Sequence, residues 1–224
     1  LFIVDAVSGL AAADLDMDEW NLDVVVSGSQ KAFMIPPGLS FMAFNDRALA
    51  VYDQNCNHRY YWDIRAGLNY LDKGQNPFTP PISLYYGLRE ALQMMLEEGL
   101  ENILQRHLGY RRLVREAVKA MGLDLLAADA NASPALTSVI APAGMGANRI
   151  RRAMQEEFNI VMAGGQQRLD DVIFRIGHLG YVRELDLLSV LAALEITLIK
   201  LGYPMEPGVG AKKAQEILLK IHNN

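Results

Sequence analysis

Four side chains in this sequence have the type and setting to do chemistry: Lys31, Asp5, Thr79 and Arg175. Lys31 ends the run Val24-Val25-Val26-Ser27-Gly28-Ser29-Gln30-Lys31-Ala32, where an apolar stretch passes into a small polar turn. A lysine just past a buried strand sits at a partly desolvated rim, where loss of hydration favours the neutral amine and makes it a nucleophile toward aldehydes. The nonapeptide alone equally allows a solvated loop lysine. Asp5 closes a second apolar run, Leu1 to Ser8, and precedes the lysine by 26 residues.

The elements that must position this pair can be read from the same runs. Two continuous apolar strands joined by a short helical crossover, Met17 to Asn21, read as neighbouring parallel strands of a sheet covered on both faces. Ligands of such sheets bind outside the carboxyl ends of the strands, so Asp5 and Lys31 are expected to face one crevice. A pyridoxal phosphate cofactor needs both groups, a lysine for its aldehyde and a carboxylate for its ring nitrogen.

Arg175 lies inside the apolar run Val172 to Ile176, where a cation is expensive unless an anion meets it. Its two-pronged donor fits the α-carboxylate of an amino acid, and a salt bridge to a nearby Glu or Asp satisfies the same pattern. His178 reads as a hydrogen-bonded structural residue. Met94 and Met95 fall at helical apolar positions and read as core filling. Pro207 to Gly210 has too little of a phosphate-loop pattern and reads as a loop before the last helix.

Val4-Asp5-Ala6-Val7-Ser8 and Ser27-Gly28-Ser29-Gln30-Lys31 together resemble the class V, fold-type I pyridoxal phosphate aminotransferases, in particular the alanine/serine–glyoxylate branch. The resemblance continues through Pro36-Pro37-Gly38, Phe78 to Tyr85, Gly87 to Leu92 and Phe174 to Gly180, so it spans nearly the whole chain. It implies that Lys31 is the catalytic lysine, that Asp5, Val7, Gln30 and Thr79 bind cofactor with it, and that Arg175 binds substrate. No metal is implied. Val7 is expected on the ring face and Gln30 beside the cofactor. Thr79 is expected to reach the cofactor phosphate of a neighbouring subunit, which implies a homodimer. Many relatives carry tyrosine where this chain has Phe78, so that hydroxyl is lost.

The implied reaction is transamination of serine or alanine with glyoxylate or another 2-oxo acid. No second obvious cation stands ready for a side-chain carboxylate, which disfavours dicarboxylic donors. Two other readings are weighed. One is a cysteine desulfurase-like enzyme, which needs a mobile thiolate and carries histidine where this chain has Gln30; Cys56 lies in a segment with no obvious path to the crevice. The other is a non-catalytic or truncated subunit that keeps the fold for interaction, which has no need of all four groups at these spacings.

Composition bounds the rest. The chain has 224 residues, 51% of them apolar, and a net charge of −5, which suits a soluble globular protein with no nucleic-acid partner. No stretch reaches the roughly 18 apolar residues of a membrane helix, so no membrane partner is expected. One cysteine excludes an internal disulfide and suits a reducing, cytoplasmic setting. The opening directly inside a hydrophobic strand suggests the C-terminal 60% of such an enzyme, without the phosphate loop and stacking aromatic.

The fold expected is α/β: the remainder of a mostly parallel large-domain sheet over residues 1–105, then a small α/β C-terminal domain over 106–224. Strands are expected at Ser40–Phe44, Leu136–Pro142, Asn159–Ala163 and Val172–Ile176, and helices at Asp46–Val51, Ser83 to about Gln105, Glu98–Met121, Gly146–Phe158 and Glu184–Gly202. Asn55 to Gln75, with Tyr60-Tyr61-Trp62-Asp63, reads as surface and interface.

Overall fold

A computed structural model describes residues 1–55 and 57–222. The chain forms two compact units, one of residues 1–8 and 15–97, the other of residues 9–14 and 98 onward. In place of the single helix expected from Ser83 to about Gln105, Gly99, at φ +84°, separates α3 (Ile82–Glu98) from α4 (Leu100–Ala120).

The first unit is built on a three-stranded sheet of order β1-β2-β3, with β1 Ile3–Asp5, β2 Val24–Gly28 and β3 Ser40–Phe44. The strands β1 and β2 are parallel as expected, with Asp5 opposite Val26, whereas β3 runs antiparallel to β2. The crossover Met17–Asn21 is a succession of turns, not a helix. Asp16 Oδ1 accepts the amides of Asp18 and Glu19, and Asn21 takes φ +52°, so the polar side chains win the backbone away from helical bonding.

Asp23 pins the start of β2. It is fully buried and accepts from Phe2 N at 2.6 Å, Asn45 Nδ2 at 3.0 Å and both Nε and Nη2 of Arg47 at 2.5 and 2.8 Å. The Arg47 guanidinium holds its carboxyl far below the usual carboxylate range. Asn45 also caps α1 (Asp46–Asp53) by accepting Ala48 N, and Asp63 caps α2 (Ile64–Leu71) by accepting Ala66 N. The helix α2 lies inside the stretch 55–75 read as surface and interface. Its aromatic residues Tyr60, Tyr61 and Trp62 are exposed, and the Tyr61 ring meets that of Phe78 edge to face at 4.8 Å.

The second unit carries the larger core. An antiparallel sheet of order β4-β6-β5 is formed by β4 Leu136–Ile140, β5 Ala163–Gly164 and β6 Ile173–Gly177. It packs with α4 and α5 (Ala147–Phe158), and α6 (Glu184–Lys200) and α7 (Val209–Ile221) pack on those helices and on each other. Phe174, Leu113, Ile150, Met154, Leu191 and Leu194 are completely enclosed. The strand expected at 159–163 shrinks to two residues because Asn159 caps α5 in the left-handed conformation. Buried Glu195 accepts the amide of Gly210 at the start of α7, a carboxylate set against the positive end of a helix.

Candidate active site

In the first unit the parallel pairing of β1 and β2 sets Asp5 level with Val26, and the two strands then end side by side. Ala6 N donates to Val26 O at 2.8 Å, and Ser27 Oγ donates to Ala6 O at 3.3 Å, which carries the pairing past the strand ends. Asp5 is exposed, and one of its oxygens accepts Val7 N at 3.0 Å. A methyl group added to Gly28 would lie 3.7 Å from Val7 Cγ1 and only 2.9 Å from Gln30 Oε1. Val7, Gly28 and Gln30 therefore meet around a place with no side chain of its own. Asp5 and Lys31 each stand within two residues of that place's lining, on the two strand ends.

Lys31 is half-buried and has no carboxylate within 4.0 Å among the described residues. Its turn is held by Ser29, which is fully buried: Oγ donates to Pro36 O at 2.8 Å and accepts Leu39 N at 3.2 Å. Ser29 N also donates to Leu39 O at 3.0 Å. The loop 29–39 is thus closed at its base, and Lys31 leaves from a fixed turn. The sequence reading passed over Ser29, although its place in the small polar turn was visible.

Thr79 lies exposed in the extended, proline-bounded run before α3 and makes no hydrogen bond among the described residues. Cys56 lies outside the described residues, so the reading of its access stands on the sequence.

In the second unit Arg175 occupies the middle of β6, opposite Ser138 of β4 and Ala163 of β5. It is half-buried, and no carboxylate lies within 4.0 Å of it among the described residues, so it does not form the structural salt bridge that the pattern also allowed. Its Nε donates to Gly164 O at 2.8 Å, leaving the terminal nitrogens of the guanidinium without hydrogen bonds among the described residues. A cation held by its Nε alone presents its fork to a carboxylate.

A second guanidinium, missed in the sequence, shares this anchorage. Arg151 of α5 donates from Nε to Met162 O and from Nη1 to Asn148 Oδ1, both at 2.8 Å. Nothing in its local sequence marks it, since it sits among other charged residues on an amphipathic helix.

His178 is buried as a structural residue, with Nε2 2.9 Å from Thr137 Oγ1. Burial pushes its pKa down to about 4, and His107 pushes in the same direction, while the Pro134 carbonyl opposes them.

The chain matches the family described as Aminotransferase class-V over residues 1–183. It belongs to the class-V aminotransferases. Members of this family depend on pyridoxal phosphate, and the residues present fit that group by their chemistry: Lys31, an amine with no carboxylate within 4.0 Å among the described residues, and the exposed carboxylate Asp5 stand on adjacent strand ends, with Val7 and Gln30 between them at Gly28. The class-V chain is 47% identical over 219 residues to a Synechococcus protein named soluble hydrogenase, small subunit, covering 97% of this chain and 57% of that one. It is 38% identical to the serine–glyoxylate aminotransferase of Arabidopsis thaliana, covering 97% and 55%. Its fold matches the crystal structure of ureidoglycine–glyoxylate aminotransferase from Bacillus subtilis with a TM-score of 0.92 at 31% identity, over 98% of this chain and 58% of that one. The class-V chain thus spans a little over half the length of these relatives.

Proposed function

We propose that the protein to which this chain belongs is a pyridoxal phosphate aminotransferase, with serine or alanine as donor and glyoxylate or another 2-oxo acid as acceptor. The observation that carries this is the parallel pairing of β1 with β2, which ends Asp5 and the Lys31 turn side by side around Gly28. The cofactor, when bound, supplies an electron-accepting ring that acidifies the α-carbon of an attached amino acid.

The chain's own groups do the rest. Lys31 Nζ would hold the cofactor's aldehyde carbon and, once an amino acid takes its place, would be the general base that removes the α-proton and delivers it to that carbon, two bonds away. Asp5, one oxygen of which accepts Val7 N, would hold a proton on the ring nitrogen. Val7 packs on the ring, and Gln30 lies beside it. Arg175 grips the α-carboxylate through its free fork. Thr79 serves the cofactor phosphate of a second copy in a homodimer. Arg151 does not compete as a second clamp, because its Nε and Nη1 are committed to Met162 O and Asn148, which supports a small donor over a dicarboxylic one.

The test is the full-length protein with Lys31→Ala. Loss of the visible cofactor absorbance and of transamination is expected, and a variant that kept both would end this reading. A donor panel with glyoxylate then decides the donor: aspartate or glutamate outrunning serine and alanine would reverse that part. The name of the Synechococcus relative favours a second reading, a subunit that works by interaction. A colourless full-length protein with no borohydride-sensitive absorbance would favour it.

A further inference from the structure

We propose that Arg151 is a positioning residue for Arg175, acting through the backbone of β5; this rests on the reading of Arg175 as the carboxylate clamp. The two-residue strand β5 lies at the edge of its sheet, paired only with β6 among the described residues. Edge carbonyls need donors from elsewhere. Here they receive them from two arginines on different elements: Arg151 of α5 takes Met162 O, and Arg175 of β6 takes Gly164 O, each through Nε at 2.8 Å. The two carbonyls are two residues apart in extended backbone, so they stand on the same side of the chain, roughly 7 Å apart.

Gly164 is where the two arginines meet. A methyl group on it would lie 2.7 Å from Arg151 Nη1 and 3.1 Å from Cζ, so the Arg151 guanidinium rests directly against the Gly164 backbone. The position of the Gly164 carbonyl, and with it the direction of the Arg175 fork, depends on that support. Neither arginine has a carboxylate within 4.0 Å among the described residues, so no ion pair offers Arg175 a competing orientation. Asn148, one turn earlier on α5, holds Arg151 Nη1 and completes the brace. The strand is too short to fix its own carbonyls, and the arginine from α5 does it instead.

Three variants of the full-length holoenzyme test this: Arg151→Gln, Arg151→Lys and Gly164→Ala. The last displaces the tip of Arg151, to which the three atoms nearest the added methyl group all belong, and alanine meets no backbone strain there because Gly164 does not have a positive φ. Arg151→Gln and Gly164→Ala are expected to raise KM for both amino donor and oxo acid roughly tenfold, the effect of one weakened charged hydrogen bond. The kcat and the cofactor absorbance should stay near wild type, and Arg151→Lys should recover part of the loss by donating to Met162 O. In ¹⁵N NMR the Arg175 Nε–H signal should shift and exchange faster with water in the two damaged variants. Unchanged KM with an unshifted Arg175 signal in Gly164→Ala overturns the proposal, whether or not Arg151→Gln folds. So does a fall in kcat with loss of cofactor, which would mark general damage. Should the wild type not transaminate, the functional reading fails, while the Arg175 signal still decides this one.

Discussion

His107 Nε2 accepts the backbone amide of Gly180 at 3.1 Å, tying the middle of α4 to the loop that leaves β6. His107 Nδ1 meets Ile103 O at 2.7 Å, so the ring donates there and accepts at Nε2, which defines a neutral imidazole. Beside it Arg106 donates to Gly180 O at 3.0 Å and pairs with Glu98, so both backbone groups of Gly180 are held. This loop begins three residues after Arg175 with His178, the other buried histidine.

Both histidines make the fold sensitive to acid. Burial lowers the pKa of each, and that of His178 falls from 6.5 to about 4. As pH drops below 6.5 the unfolded chain takes up protons before the folded one, so stability is fully present above that value and is lost between 6.5 and 4. His178 contributes up to about 3 kcal/mol of this loss, at 1.36 kcal/mol per unit. Urea unfolding at pH 7 and pH 5 should show the wild type losing more stability than His178→Asn; an equal loss in the two would remove His178 as the cause.

Ser29→Ala should loosen the Lys31 turn. It removes the donor to Pro36 O and the acceptor of Leu39 N from a site with no water access, which costs about 1–3 kcal/mol. Full-length protein carrying it should unfold earlier and hold the cofactor less tightly, as read by chemical denaturation and cofactor titration. Cofactor affinity unchanged despite the lower stability would show that the turn does not set the lysine's position.

With Arg175 as the proposed carboxylate clamp, Arg175→Ala should raise KM for amino acid and oxo acid about a hundredfold, the effect of losing two charged hydrogen bonds. A grip that is equally strong in ground and transition states leaves kcat little changed. Steady-state kinetics separate the two, and a collapse of kcat at constant KM would assign Arg175 a different role.

Gly165→Ala should be far more damaging than Gly164→Ala, although the two glycines are neighbours. A methyl group on Gly165 would sit 1.8 Å from the carbonyl oxygen of Leu169, which is backbone and cannot swing aside, whereas on Gly164 it meets a side-chain tip. Overpacking of this kind costs about 3 kcal/mol or more. Thermal unfolding of both variants checks the order; a Gly165→Ala protein as stable as Gly164→Ala would show that the 165–169 turn can relax.

The sequence by itself determined the family, the parallel β1–β2 pair and the identities of Asp5, Lys31 and Arg175 as groups worth following. It could do so because continuous apolar runs mark strands, although β1 is not covered on both faces as expected, Ile3 being 61% exposed, and because a cation inside such a run is costly enough to need a reason. It also placed α1, α5 and α6 nearly as they stand, since helical periodicity and caps are local signals. The tertiary structure decided what turns on partners distant along the chain. It broke the long helix at Gly99 and made the Met17–Asn21 crossover a set of turns, because φ at single residues and side-chain capping outweighed weak helical pattern. It left Arg175 without a carboxylate within 4.0 Å among the described residues, and it set Arg151 and Arg175, 24 positions apart, on carbonyls two residues from one another, which no spacing announces. Partner choice across a sheet edge depends on which carbonyls the strand order leaves unpaired, and that order exists only once the chain has folded.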